Sequence, residues 1–392
     1  MSTRESATRG AMGPLNPLLT EKREYPFVTL DRQRDRLAPP GVRIINFGIG
    51  DPREETPEFI RDTLKRAVPA MSSYPAAAGQ PALRAAAAAW IGRRFDVKVD
   101  PERHVLPANG TKEAVFLLAE AVVGRDGGKR KVVIPTPAYP VYESGARFAG
   151  AEPHFVPLRS EDRWRFDPTR VPDAVWRETA LLWLGSPHNP TGATLGLEEL
   201  EAVASTARRH GFWVAADEAY CEIWFDRPPH GMLETGLDNV LALHTLSKRS
   251  AMTGFRSGFL CGDERLIDAL RRFRPNVGVA TPDFVQAAAI AAWNDDAHPN
   301  EQRARYALKR RLLIDYFGAR GWSIEASEAS FYLWMRVPDG DDVAFVERVL
   351  QLGLVAMPGS YLGAGGEGFV RWALVPTPED CREAIARLEA LR

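Results

Sequence analysis

Between residues 104 and 262, short runs of continuous apolar side chains alternate with stretches whose apolar residues recur every three or four positions. The runs fall at 104–108, 131–135, 180–185, 212–216, 240–246 and 258–262. The helical stretches fall at 111–123, 138–149 and 197–210, the last closed by Gly211. A strand that is apolar on both faces has to be covered on both. Strands of that kind joined through helices form a mostly parallel sheet. The pattern predicts a large α/β domain over 46–290.

Before this region, 14–43 reads as a mixed lead-in and 44–49 as a short apolar strand ending in the turn Gly50-Asp51-Pro52. Thr56-Pro57 opens a helix, and an alanine-rich helix follows at 81–95. Beyond it, an arginine-rich helix at 299–320 precedes predicted strands at 322–326, 331–337 and 369–375 and helices at 342–352 and 378–391. These predict a smaller α+β domain over 291–392, to which 1–45 contributes. The polar residues 1–13 have no apolar core and read as a short disordered leader, not a secretory signal. No apolar run approaches the roughly 20 residues that span a bilayer. A formal net charge of -1 gives no reason to expect nucleic acid or an anionic membrane as a partner. Cys221, Cys261 and Cys381 are scattered without metal-ligand spacing. They read as buried thiols in a reducing, cytoplasmic setting, with no metal site.

Ligands of open α/β sheets bind outside the carboxyl ends of the strands, and the residues found there make a consistent set. Lys248 stands just past the 240–246 run, with only Ser247 between, where a lysine does nothing for packing. Its amine can form a Schiff base with a carbonyl. Ser247 beside it and Arg256 eight positions on can hold a phosphate. After 104–108 come Gly110, Thr111 and Lys112, which offer a helix N-terminus to an anion, although plain capping explains them equally well. After 131–135 comes Tyr139, either a core residue or a ring laid on an aromatic ligand. After 180–185, Asn189 stands in a rigid Pro/Gly turn with an amide able to donate to a phenolate. After 212–216, Asp217 ends a buried strand and needs a partner, which a protonated pyridine nitrogen would provide. Tyr220 can reach the same phenolate as Asn189. Phosphate site, ring stacker, phenolate donors, pyridinium partner and reactive amine together point to pyridoxal phosphate.

The chain resembles the class I/II aminotransferases of pyridoxal-phosphate fold type I. The resemblance rests on Ser247-Lys248 with Gly254-x-Arg256, on Asn189-Pro190-Thr191-Gly192 and on Asp217-x-x-Tyr220. Tyr74 with Gly79 and Leu83-Arg84, and Arg371 in Phe369-Val370-Arg371-Trp372-Ala373, extend it over about 25–391. It implies that Lys248 carries the cofactor and then acts as general base and acid. It implies that Asp217 pairs the ring nitrogen, Asn189 and Tyr220 hold the phenolate and Tyr139 stacks. Thr111, Lys112, Ser247 and Arg256 would bind the phosphate, and Arg371 would clamp the substrate α-carboxylate. Gly50 would lie against the substrate. Tyr74 would reach the neighbouring subunit's phosphate, which implies a homodimer with shared active sites. His188 receives no role, and Arg249 reads as a helix-surface arginine.

Asn16-Pro17-Leu18-Leu19, Tyr25-Pro26-Phe27, Gly48-Ile49-Gly50-Asp51-Pro52, Leu246-Ser247-Lys248-Arg249-Ser250 and Ser330-Phe331-Tyr332-Leu333-Trp334 look like the bacterial N-succinyldiaminopimelate aminotransferases of lysine biosynthesis. The substrates so implied are glutamate and 2-oxoglutarate on one side and the succinylated diaminopimelate pair on the other. A general aspartate, alanine or aromatic aminotransferase shares the same core, as does a carbon–sulfur lyase of this fold. A ligand-sensing module of a transcription regulator would need a DNA-binding domain, and 1–45 has no helix-turn-helix pattern.

Overall fold

A computed structural model describes residues 13, 15–20, 25–124, 128–278 and 280–391. The leader expected at 1–13 lies, apart from residue 13, outside the described residues. Seven strands form the main sheet: β2 (Val105–Ala108), β3 (Lys131–Thr136), β4 (Glu152–Pro157), β5 (Thr179–Gly185), β6 (Trp213–Asp217), β7 (Val240–Thr245) and β8 (Gly258–Gly262). Their spatial order is β2-β8-β7-β6-β5-β3-β4. Only β8 runs against its neighbours β2 and β7, so the sheet is mostly parallel, as the continuous apolar runs predict.

The period of two sorts each strand between two apolar layers. Val132, Leu181, Trp183, Ala215, Leu241 and Leu243 face one layer, with the helices Thr111–Val122, Val141–Phe148 and Glu264–Phe273. Val133, Leu182, Leu184, Val214, Ala216, Val240 and Ala242 face the other, which continues into the C-terminal part of the chain. β4 was not expected. It is the sheet's edge, it reads Glu-Pro-His-Phe-Val-Pro, and it keeps much of its surface, so no continuous apolar run marks it.

The C-terminal part holds β9 (Tyr332–Arg336), β11 (Met357–Pro358) and β12 (Phe369–Ala373) in an antiparallel sheet of order β11-β12-β9. Two expectations change here. The 44–49 run gives only a two-residue strand, β1 (Ile45–Asn46), and it pairs in parallel with β10 (Leu354–Val355), not with the large sheet. The 322–326 run forms no strand, only an isolated bridge between Ile324 and Met335. Trp322 is buried by the aromatic contacts it makes with Phe317 and Phe345, which packing satisfies without a ladder. The lead-in contains a helix, Pro26–Leu37, whose Leu30 joins the same core and which lies against the helix Asp342–Leu350. No helix among the described residues is long and apolar enough to cross a membrane. The three cysteines are buried free thiols.

Candidate active site

A cavity of about 360 Å³ opens at the carboxyl ends of β5, β6 and β7 and is closed on its far side by Tyr332 and Arg371 of the antiparallel sheet. That volume lies within the range of small-molecule sites. It collects Gly50, Thr111, Lys112, Tyr139, Asn189, Asp217, Tyr220, Ser247, Lys248, Arg256 and Arg371, residues dispersed over more than 300 positions of sequence.

Lys248 sits on the short helix Leu246–Arg249 that β7 runs into. Thr245 caps that helix: its Oγ1 accepts from the Ser247 N–H at 3.1 Å and donates to Ser247 Oγ at 3.0 Å. The Lys248 ammonium donates to the Gly50 carbonyl oxygen and lies 5.6 Å from the centre of the Phe331 ring. Burial pulls its pKa down to about 8; Asp51 and Asp217 resist that pull, while the Arg256 and Arg371 guanidiniums add to it. A lysine so placed has a substantial neutral fraction near physiological pH, as a nucleophile and proton carrier requires.

Asp217 ends β6. Its carboxyl is raised by burial, against the bonds it accepts from the Tyr142 hydroxyl at 2.7 Å and the Ala219 N–H at 3.3 Å and against the charge of Lys248. Tyr142 is itself fixed by stacking on Trp183, 4.7 Å between ring centres and 6° from parallel. Tyr220 is hydrogen-bonded to the Tyr332 hydroxyl at 3.0 Å, and burial raises its phenol well above the ordinary value. Tyr139 bonds through its hydroxyl to Tyr25, from the lead-in, and burial raises it too.

Arg371 on β12 is 1% exposed. One terminal nitrogen donates to Asn189 Oδ1 at 2.9 Å and the other to the Gly48 carbonyl at 2.7 Å, with the guanidinium 4.3 Å from the Tyr332 ring centre. Because Asn189 accepts from Arg371 through its oxygen, its NH2 group is left as a donor. The Nε of Arg371 is buried without a partner, a position a carboxylate would satisfy. At the other end of the cavity, Gly110 holds a φ of +72°, and a Cβ there would lie 2.4 Å from Arg256 Nη2. That close approach keeps the exposed Arg256 beside the N-terminus of the Thr111–Val122 helix. Arg256 Nη1 donates to Thr253 O at 2.9 Å, and Nη2 contacts Asn109 O at 3.3 Å.

The family model "Aminotransferase class I and II" matches residues 42–388. The chain is a class I/II aminotransferase. It is 39% identical over 376 residues to the LL-diaminopimelate aminotransferase of Gloeobacter violaceus, covering 93% of this chain and 95% of that one. It is 38% identical to the 4-dedimethylamino-4-oxo-anhydrotetracycline transaminase OxyQ of Streptomyces rimosus, covering 94% of this chain and all of that one. Among solved structures it is similar to an aminotransferase from Neisseria meningitidis, with a TM-score of 0.91, 35% identity and coverage of 96% and 100%. A Thermus thermophilus aspartate aminotransferase superposes with a TM-score of 0.89 at 27% identity, covering 96% of this chain and 99% of that one.

Aminotransferases of this class depend on pyridoxal phosphate. The residues present fit that group. An anion site of helix N-terminus, Ser247 hydroxyl and Arg256 stands at one end, a carboxylate and an amine at the middle, and an unpartnered guanidinium nitrogen at the other. The aminotransferase's Tyr74 lies outside the cavity and is 93% exposed. No site role was expected for Tyr25, Phe27, Asp51, Tyr142, Thr245 or Tyr332. All but Tyr142 line the cavity, and Tyr142 holds Asp217 from behind. Tyr142 lies on the helix Val141–Phe148 and Tyr139 just before its cap, so no helical spacing joins the two. Asp51 stood in what reads as an ordinary turn. Arg249 requires correction: it is 2% exposed, not on a helix surface. A four-residue helix has no apolar period to show which face is buried, and two tryptophans, Trp90 and Trp293, cover its guanidinium. His188 is buried, bonds Thr191 Oγ1 at 2.9 Å, and is lowered to about 4 by burial, which suits a structural role under the turn.

Proposed function

We propose that this aminotransferase exchanges the amino group of glutamate with a diaminopimelate-type oxo acid, in two half-reactions through one site, and that the acyl form handled is N-succinyldiaminopimelate. Pyridoxal phosphate, when bound, supplies the carbonyl that exchanges with the amine and the ring that withdraws electrons. Ser247, Arg256 and the backbone N–H groups of Thr111 and Lys112 hold its phosphate. Asp217, whose ionised form the bonds from Tyr142 and Ala219 favour against burial, would pair the ring nitrogen. The Asn189 NH2 group and the Tyr220 hydroxyl hold the phenolate oxygen, and Tyr139 covers the ring. Arg371 takes the substrate α-carboxylate and, through its bond to Asn189, keeps the carboxylate and phenolate subsites in register. Lys248 Nζ, neutral in part, is the group that would take the proton from the substrate α-carbon as base and later donate a proton as acid. Tyr74, exposed on its own chain, would complete the phosphate site of a second copy in a homodimer.

The observation that carries the reaction class is the convergence of Lys248, Asp217 and the half-satisfied Arg371 on one cavity. The choice of the N-succinyl form is supported by the motifs around Asn16, Lys248-Arg249-Ser250 and Phe331-Tyr332. A second reading, the free LL-diaminopimelate, is favoured by the names of several relatives, among them those of Gloeobacter violaceus and Dehalococcoides mccartyi at 39% and 37% identity. The two are separated by steady-state transamination from glutamate with the succinylated and free oxo acids side by side. The proposal expects a much higher kcat/KM for the succinylated acid. Preference for the free acid, or for oxaloacetate or pyruvate, would replace it with the LL or the general reading. Ammonia and pyruvate released from a thioether amino acid would indicate a lyase.

A further inference from the structure

Arg249 and Ser250, beside the reactive lysine, are both buried and are tied to one corner of the chain, where the helix Asp283–Trp293 ends and Ala297–Ala319 begins. The Arg249 guanidinium donates to the carbonyl oxygens of Ala292 at 3.1 Å and Asp295 at 3.2 Å and lies 4.8 Å from the Trp293 ring centre. Ser250 Oγ is 2.8 Å from His298 Nε2, and His298 Nδ1 is 2.6 Å from Asp295 Oδ1. A serine, a histidine and a carboxylate are thus in line, with the serine and the histidine shut off from solvent. Ser250 is 1% and His298 6% exposed, so no substrate can reach the hydroxyl.

The arrangement has one consistent proton pattern. Asp295 also accepts from the His298 backbone N–H at 2.9 Å, and these bonds hold its carboxyl below the usual value against the opposing effect of burial. The carboxylate therefore takes Nδ1–H, which leaves Nε2 to accept from the Ser250 hydroxyl. Burial, with Arg249 adding to it, lowers His298 to about 4, so the ring is neutral and the pattern persists at physiological pH. Groups facing His298 are Arg249, Asp295, Glu222 and the edge of Phe59. On the chain's other side, Thr56 Oγ1 donates to the Ala251 carbonyl at 2.6 Å, and Ala251 holds a φ of +49°. The turn that follows Lys248 is thus fixed at three consecutive residues, from two directions.

We propose that Asp295, His298 and Ser250, together with Arg249, form a clamp that positions Lys248 for proton transfer. They are positioning residues acting through the backbone of 248–251, not groups that touch substrate. The physical reason is that proton transfer tolerates little misplacement. An error of about 1 Å in a reacting group can cost on the order of a hundredfold in rate. Lys248 sits on a four-residue helix that cannot hold its own orientation.

The proposal rests on Lys248 being the reactive amine, so Lys248→Ala is carried as a separate arm: normal turnover there would sink that reading rather than the clamp. The test uses the cofactor-loaded enzyme with Ser250→Ala, His298→Asn, His298→Gln and the double variant Ser250→Ala/His298→Asn. We expect kcat in the single variants Ser250→Ala and His298→Asn to fall about tenfold or more, with KM for glutamate near that of the wild type. The pH midpoint of the cofactor's visible band should shift in the same two variants. The double variant should be no worse than the worse single, because both break one chain of bonds. His298→Gln, whose side-chain oxygen can still accept from Ser250, should recover most of kcat. The clamp is overturned if the variants lower the melting temperature but leave kcat and the midpoint unchanged, if the two losses add, or if His298→Gln behaves as His298→Asn. Ser250→Ala removes one oxygen and leaves the buried ring, so it carries the test alone if His298→Asn does not fold.

Discussion

Tyr142→Phe removes one hydroxyl from behind Asp217 and nothing else. The ring keeps its stack on Trp183, so no cavity opens and the fold should be undisturbed. What is lost is a 2.7 Å bond to a carboxylate that burial already pushes toward protonation. Hydrogen bonds to charged groups contribute about 1.5–3 kcal/mol. At about 1.4 kcal/mol per decade, kcat/KM should fall on the order of tenfold to a hundredfold. The sign of the pH effect follows. Tyr142 lowers the Asp217 pKa, so its removal raises it. Activity that needs the ionised carboxylate then disappears at a higher pH as the solution is acidified, and the acid limb of kcat/KM moves toward neutrality. The half-reaction with glutamate, followed by the cofactor's visible absorbance across the acid limb, reads both effects. A Tyr142→Phe enzyme with wild-type kcat/KM and an unmoved acid limb would refute the assignment of Asp217 as the ionised partner held by Tyr142.

Arg371→Gln leaves Asn189 without its donor and the substrate carboxylate without a counter-charge. Removing one partner of such a pair costs about 2–5 kcal/mol, so kcat/KM should fall more than about tenfold for amino donor and oxo acid alike, against a loss confined to one substrate if Arg371 were a side-chain specificity group. Gly50→Ala would put a Cβ 2.1 Å from the Tyr332 hydroxyl, which also bonds Tyr220. Overpacking costs about 1–3 kcal/mol, and thermal melting should show the drop together with reduced kcat. Asp51→Asn removes the largest influence resisting the depression of Lys248, so in the cofactor-free chain the amine's midpoint should move below about 8. The pH dependence of Lys248 acylation, read by mass spectrometry, checks the direction.

What the sequence made legible follows from what a sheet imposes. Each strand that is apolar on both faces must end, and in a parallel sheet the ends fall on one edge. Thr111, Tyr139, Asn189, Asp217 and Lys248 could therefore be brought together without coordinates. The rest of the site comes from segments whose placement is not periodic. Tyr25 arrives from the lead-in, Asp51 from the turn after β1, and Tyr332 from β9, and their approach depends on packing between the two sheets rather than on any local pattern. Arg249 was misread for a related reason: its burial depends on Trp90 and Trp293, more than 40 positions away on either side. The edge strand β4 and the unformed strand at 322–326 show the two opposite errors. One pairs without an apolar run to announce it, and the other has the alternation but finds its burial in aromatic packing.

The central claim is that Lys248 carries an amino-group exchange between glutamate and a diaminopimelate-type oxo acid. It is tested most directly on the cofactor-loaded enzyme, by adding glutamate alone and then the succinylated oxo acid while the visible absorbance is followed. The account predicts that the band bleaches with glutamate, releasing 2-oxoglutarate, and returns with the oxo acid, and that Lys248→Ala does neither at a comparable rate. A band that glutamate leaves unchanged, or a Lys248→Ala enzyme that cycles normally, would contradict it.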